Sequence, residues 1–230
     1  MHPPSAFGNF RVLHQIGSGV LGPVFRSYDS QRERLAAIKA FKVDLLPEQL
    51  PEFAEALRSL VTQPIDDPGI VRAIETGVEG TTPFLALEFV SGDTLDAVLR
   101  ESRLLSGEQV LAVCGAIGRT IDAAWDLGVR HGSLHPRDVF LTDSSGVAVT
   151  GFGIAQALMT VGLPAPIRRP YTAPERDAGN GWDRRADVYS LAAIARVLLG
   201  TTTTSSALVI SASLLILISR RLASGPASSS

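Results

Sequence analysis

The sequence predicts an α+β fold of two lobes, in which a β-rich segment with one helix precedes a mostly helical segment. Alternating apolar and polar residues separated by glycine turns dominate the chain up to residue 90, as is typical of antiparallel strands. Beyond a turn at residues 91–93, apolar residues recur at helical spacing instead. This change of periodicity places the joint between the lobes near residue 91.

Short runs with strand character occupy most of the first segment. Strands are predicted at residues 10–16, 24–25, 35–41, 70–74 and 84–90. A glycine-rich turn at residues 17–22 separates the first two. The single helix of this segment begins near Pro51, and its apolar residues Phe53, Leu57 and Leu60 recur at helical spacing.

The second segment contains sequence patterns that are typical of helices and of their first residues. A short helix is predicted at residues 94–102, and Ser106 with Gln109 forms a capping-box pattern that opens a long helix. A strand is predicted at residues 147–150 and a further helix at residues 187–199.

Composition excludes several classes of function. The net charge of −2 gives no basic surface for nucleic acid. The single cysteine, Cys114, excludes an intramolecular disulfide and a multi-cysteine zinc site. The first residues lack the basic and apolar regions of a signal peptide, so we expect a cytoplasmic protein.

Residues 17–24 follow the pattern G-x-G-x-x-G-x-V. Glycines let the backbone turn tightly and bring its N–H groups close to phosphates. A dinucleotide-binding fold would need a helix directly after the last glycine, whereas strand character follows here. The sequence Ala36-Ala-Ile-Lys39 then adds a lysine in the next predicted strand.

This combination resembles the ATP-holding lobe of eukaryotic-type Ser/Thr protein kinases found in bacteria. Further kinase-like motifs follow in the family's order, at residues 84–95, 131–138, 151–153, 171–175 and 187–191. The resemblance covers about residues 8–200. It implies a kinase-like fold with an N-lobe at 8–91, an abbreviated C-lobe at 92–222 and a tail at 223–230 that we expect to be disordered.

The resemblance also implies a nucleotide site, so ATP could still bind. The implied residues are Gly17, Gly19, Gly22, Val24, Lys39, Glu55, Glu88, Val90 and Phe140. Glu55 is the expected helix partner of Lys39, with Glu52 as a close rival. Phe140 can either stack on the adenine or fill its pocket, and the sequence leaves both open.

Four substitutions depart from the family's catalytic pattern. Ser133 stands where the family has its catalytic Asp, and Gly151 stands where it has the Asp that binds Mg²⁺. His135 replaces a lysine that contacts phosphate, and Asp138 replaces the Asn that holds a second metal. Asp138 could still be a weak metal ligand, but two of the family's essential carboxylates are gone, so Mg²⁺ binding is not expected to persist.

These departures predict a pseudokinase that acts as a regulatory or scaffolding module. The alternative is an active Ser/Thr protein kinase, or another nucleotide-dependent transferase, that uses displaced metal ligands such as Asp138. Asp187 is implied to brace the backbone of the loop at residues 131–138. The abbreviated C-lobe would leave apolar surface for a protein partner, which could be a kinase, a client or a second copy.

Residues 197–219 carry no charge over a length close to that of a membrane span. Six of them form a Thr/Ser run, and the strongly apolar part is nearer the length of a buried helix. We therefore expect a core helix here, with a membrane tether as the alternative.

Overall fold

The computed structural model describes residues 4–63, 65–101, 105–142, 146–177 and 183–200. These residues form two compact units: unit 1 comprises Met1–Ser91 and Gly153–Pro166, and unit 2 comprises Gly92–Phe152 and Ile167–Ser230. The tail at 223–230 and all but the start of the segment at 197–219 lie outside the described residues.

The strands are β1 Ala6–Phe7, β2 Phe10–Gly19, β3 Gly22–Asp29, β4 Arg34–Ala40, β5 Ala73–Glu79, β6 Thr82–Glu88, β7 Asp93–Thr94, β8 Val139–Thr142 and β9 Gly146–Val149. The helices are α1 Gln49–Thr62, α2 Leu95–Arg100, α3 Gly107–Asp126, α4 Ile154–Thr160, α5 Pro174–Asp177 and α6 Arg184–Gly200, with a 3₁₀ turn at Pro136–Asp138. The predicted order, strands with one helix and then mostly helices, is confirmed.

Unit 1 is a six-stranded antiparallel sheet in the order β1-β2-β3-β4-β6-β5. Strand periodicity is clear in β4, where Ala36, Ile38 and Ala40 are buried and the residues between them are only partly covered. One apolar cluster contains the ring contacts of Phe7 with Phe25 and Phe84. A second cluster joins the sheet to α1 and α4.

The sequence did not predict α4, which belongs to unit 1 although residues 92–152 of unit 2 precede it in the chain. Its seven residues are apolar on almost every side, so they carry no amphipathic signal. Leu158 packs in the cluster with Leu57 of α1. The Gln49 side chain donates to the carbonyl of Val161 at 2.8 Å.

Unit 2 is built around α3 and α6, with β7, β8 and β9 forming a small antiparallel sheet. The predicted capping box is confirmed: Ser106 Oγ accepts from the Gln109 backbone, and the Gln109 side chain accepts from the Ser106 backbone. Cys114 is a free cysteine buried in α3.

Several element boundaries differ from the prediction, and β3 runs over Gly22–Asp29 where the sequence predicted a strand only at residues 24–25. The strand predicted at residues 70–74 is β5 and begins only at Ala73, because residues 67–70 form a turn in which the Ile70 N–H donates to the Asp67 carbonyl at 3.0 Å. The helix predicted at 187–199 begins at Arg184. Within the described residues, no helix combines the length and the apolar content that a membrane crossing requires.

Candidate functional site

The glycine turn at residues 17–22 joins β2 to β3, and its glycines face different surroundings. Gly22 has φ +129°, and a Cβ added there would lie 2.2 Å from the carbonyl oxygen of Ala40. A Cβ on Gly17 would meet nothing within 4 Å, and one on Gly19 would meet only the Gly22 carbonyl at 3.9 Å. The backbone packing therefore requires Gly22, whereas Gly17 and Gly19 leave open space above the turn.

Lys39 stands in register with this turn. Gly17 is paired with Val24 across β2 and β3, and Val24 is paired with Lys39 across β3 and β4. Directly paired residues lie on the same face of an antiparallel sheet. The sheet therefore places the partly buried Val24 and Lys39 on one face in a row with the first glycine.

Helix α1 directs Glu55 away from the core of unit 1. Phe53 and Leu57 are buried, whereas the Glu55 side chain is 71% exposed and pairs with Arg58 at 3.6 Å. Ala56 is the neighbouring residue that packs against the core. This placement disfavours the sequence-based assignment of Glu55 as the partner of Lys39. Its rival Glu52 is exposed as well.

The end of β6 and the residues after it carry the groups that the sequence predicts to face an adenine. The backbone N–H of Glu88 donates to the Arg72 carbonyl at 3.0 Å, so this N–H is not available to a ligand. The Glu88 carboxylate pairs with Arg34 at 3.3 Å. Val90 follows β6 and is partly buried. In unit 2, Phe140 lies in β8 opposite Ala148.

In unit 2, Asp187 braces the 131–138 loop, as the sequence implied. Its carboxylate accepts from the backbone N–H of Gly132 at 2.7 Å and of His131 at 3.3 Å. The indole N–H of Trp125 donates to the same carboxylate at 3.0 Å. Asp187 lies in α6 and is fully buried, so its carboxylate ties the start of the 131–138 loop to this helix.

His131 is buried, and its hydrogen bonds define a neutral ring. Nε2 lies 2.8 Å from the carbonyl oxygen of Thr150, which can only accept, and Nδ1 accepts from the Ser133 backbone at 3.3 Å. Burial lowers the pKa of His131, against the opposing charge of Asp138. The ring also lies edge-on to Phe152, with centroids 5.2 Å apart.

Gly151 presents no side chain at the position next to His131. It has φ +96°, and a Cβ there would lie 3.1 Å from His131 Nε2. Ser133 is partly buried and lacks a carboxylate to act as a proton acceptor. His135 caps the 3₁₀ turn by accepting from the Arg137 backbone at 3.1 Å, and burial lowers its pKa. Its ring contacts Tyr171, with centroids 4.7 Å apart.

Asp138 forms an ion pair with Arg168 that the sequence did not predict. Its Oδ2 lies 2.5 Å from Nη1 of Arg168, and both side chains are largely buried. Two adjacent arginines precede Pro170, and no sequence pattern shows which of them turns inward. The described residues contain no group of three acidic, histidine or cysteine side chains suited to a metal. At the two positions that the resemblance assigns to metal binding, Asp138 is paired with Arg168 and Gly151 has no side chain, so this pair of residues does not fit a divalent cation.

Comparison with known proteins places the fold and these motifs in a family. A profile of the protein kinase domain matches residues 10–211. The chain belongs to the protein kinase domain family. The fold class and the resemblance to bacterial Ser/Thr protein kinases are thereby confirmed.

Curated relatives of this kinase-family chain include two enzymes of Mycobacterium tuberculosis. The serine/threonine-protein kinase PknA is 30% identical over 202 residues, which cover 81% of this chain and 46% of PknA. The serine/threonine-protein kinase PknJ is 31% identical over 206 residues, which cover 85% of this chain and 35% of PknJ. The chain thus spans less than half the length of these relatives.

Solved structures of the M. tuberculosis PknI kinase domain share the fold. One has a TM-score of 0.68 at 25% identity and covers 87% of this chain and 77% of the PknI chain. Another has a TM-score of 0.70 at 24% identity and covers 87% and 79%. The kinase fold is therefore present.

Proposed function

We propose that this kinase-family domain is a pseudokinase that has lost phosphoryl transfer, keeps ATP binding and acts as a regulatory or scaffolding module. One observation carries the proposal: Ser133 and Gly151 occupy the two positions where the family's motifs have carboxylates. Ser133 has no carboxylate to accept the substrate proton, and Gly151 has no side chain to hold a metal ion.

The expected loss of rate is large. Phosphoryl transfer depends on positioning and on neutralising the phosphate charge, mostly through metal ions. Loss of a general base costs on the order of 10²–10⁴ in rate. Loss of the metal ligand removes the group that would hold the charge-neutralising ion. His135 does not compensate, because burial lowers its pKa and favours a neutral ring at pH 7.

Retained nucleotide binding is supported by unit 1. The open space above Gly17 and Gly19 suits a phosphate group approaching the backbone N–H groups. Lys39 shares a sheet face with Val24 in the row that begins at Gly17, so its charge can reach the same ligand. The backbone of Glu88 and Val90 completes the proposed ATP contacts within unit 1, and the role of Phe140 in unit 2 stays a prediction from the sequence.

An active transferase with displaced metal ligands is the second candidate. It would depend on Asp138, the carboxylate that stands where the family has its metal-binding Asn. The ion pair between Asp138 and Arg168 disfavours this candidate, because the oxygen nearest the guanidinium is already committed. A protein partner of the module, whether a kinase, a client or a second copy, is also a proposal. It follows from the family and from the replaced catalytic residues.

Titration calorimetry of ATP, with and without Mg²⁺, tests nucleotide binding. We expect binding to the wild type that does not depend on Mg²⁺ and that Lys39→Met abolishes. Glu55→Gln is the matched control, because Glu55 is an exposed charge of unit 1 and its loss should leave the affinity unchanged. Loss of binding in Glu55→Gln would restore Glu55 to the site.

Phosphate transfer from radiolabelled ATP to myelin basic protein and to the chain itself tests whether the domain has lost phosphoryl transfer. We expect no transfer above that of Lys39→Met, with either Mg²⁺ or Mn²⁺. Metal-dependent transfer that Asp138→Ala abolishes would overturn the pseudokinase proposal and establish the second candidate.

A further inference from the structure

The carboxylate of Asp138 is enclosed within unit 2. Its side chain is 11% exposed, and that of its partner Arg168 is 13% exposed. The Asp138 backbone is fixed as well, since its N–H donates to the His135 carbonyl and its carbonyl accepts from the Thr150 N–H, both at 2.8 Å. The oxygen that meets Arg168 therefore has a defined position.

Arg168, and not His131, supplies the positive charge that Asp138 faces. His131 Nε2 is 3.8 Å from the Asp138 carboxylate, but it lies 2.8 Å from the Thr150 carbonyl and donates its hydrogen there. The ring is neutral because its other nitrogen accepts a hydrogen bond. A guanidinium stays protonated at any physiological pH, so Arg168 remains a cation.

The guanidinium is held by a folded turn. The Arg168 backbone N–H donates to Thr172 Oγ1 at 2.6 Å, and its carbonyl accepts from the Tyr171 N–H at 2.9 Å. Ser190 of α6 donates its hydroxyl to the Tyr171 carbonyl at 2.7 Å. Thr172 is itself buried. The backbone that α6 anchors therefore holds the Arg168 guanidinium next to Asp138.

We propose that Arg168 is the resident counter-cation of Asp138 and takes the carboxylate that a divalent metal would need. A metal would have to displace the guanidinium and leave a largely buried positive charge without its partner, which is strongly unfavourable. This inference rests on the proposed pseudokinase function and explains how unit 2 holds Asp138 without a metal.

Thermal unfolding of the full chain with Mn²⁺ or with a chelator tests the proposal. We expect the wild-type midpoint to be the same in both conditions. Arg168→Gln should lower the midpoint, because Asp138 loses its counter-charge, and Mn²⁺ should then raise it. The double variant Arg168→Gln, Asp138→Asn should recover part of the midpoint and lose the response to Mn²⁺.

Arg137→Gln is the matched control. Arg137 lies in the same 3₁₀ turn, but its side chain is 59% exposed and its partner Asp96 also pairs with Arg100. We expect a small change of midpoint and no response to Mn²⁺. If the midpoint of Arg168→Gln changed as little as that of Arg137→Gln and did not respond to Mn²⁺, the proposal would be overturned.

Electron paramagnetic resonance of Mn²⁺ titrated into the wild type gives a second measurement that does not depend on a folded Arg168 variant. We expect the signal of free Mn²⁺ to be undiminished. Binding that disappears in Asp138→Asn would show that a metal reaches this carboxylate despite Arg168 and would overturn the inference. The phosphate-transfer assay separates the two failures, since a wild type that binds Mn²⁺ but transfers no phosphate still supports the pseudokinase.

Discussion

The glycine turn of unit 1 and the 131–138 loop of unit 2 keep different parts of the kinase pattern. The turn keeps the glycines and the lysine that meet phosphate in the family. The loop keeps the groups that brace its backbone, Asp187 and His131, whereas Ser133 and Gly151 stand at positions where the family resemblance predicts carboxylates. The comparison shows that the side chains that hold the loop backbone can be kept while those at the reactive positions change, because the two groups make different contacts.

The largest expected effect is on the stability of unit 2. Replacing Asp187 with Ala leaves buried N–H donors of His131, Gly132 and Trp125 without an acceptor. Buried unsatisfied donors each cost about 1–3 kcal/mol, so we expect a loss of about 3–5 kcal/mol in the free energy of unfolding. Urea denaturation measures it.

Asp126→Ala is the control for that loss. Asp126 lies at the exposed end of α3, and its removal should change the free energy of unfolding by less than about 0.5 kcal/mol. If Asp187→Ala were as mild as Asp126→Ala, the bracing role of Asp187 would be refuted.

A second comparison, within the glycine turn, separates structure from binding. Gly22→Ala would force a Cβ to within 2.2 Å of the Ala40 carbonyl at a positive φ, so we expect a loss of roughly 2–4 kcal/mol. Gly17→Ala has open space, so stability should change by about 0.5 kcal/mol or less.

Calorimetry of Gly17→Ala then reports on the ligand alone. A Cβ on Gly17 would occupy the space through which a phosphate approaches the turn, so the affinity for ATP should fall. Unchanged affinity in a stable Gly17→Ala protein would mean that ATP does not use the turn.

The smallest expected effect is a pH dependence of stability. Burial lowers the pKa of His131 below its ordinary value of 6.5, so the unfolded chain takes up a proton that the folded chain resists. The stabilisation is complete above that value and is lost as the pH falls below it. Urea denaturation between pH 7 and pH 5 should show this decline.

Matched variants assign the decline to one ring. Burial also lowers the pKa of His135, but this ring is only partly buried. We expect His135→Gln to keep most of the decline and His131→Gln to lose most of it. A decline that persists in full in His131→Gln would show that other groups cause it.

The helix α1 shows which features a sequence pattern can predict and which it cannot. Periodicity predicted the buried positions Phe53 and Leu57, and the structure confirms both. The same pattern could not select the partner of Lys39, because Glu52 and Glu55 both fall in the first half of the helix. The rotation that packs Ala56 against the core is set by the sheet and by α4, and α4 itself was not predicted.

The sequence by itself determined the order of most elements and the family, and it predicted that Ser133 and Gly151 replace two carboxylates, because periodicity, glycine spacing and residue identity are local properties of the chain. Only the tertiary structure decided what the remaining charged groups do. Asp138 and Arg168 are thirty residues apart in sequence and meet at 2.5 Å. Glu55 turns to solvent and pairs with Arg58. These outcomes depend on which side chains the packed backbone buries together, and no local pattern records that.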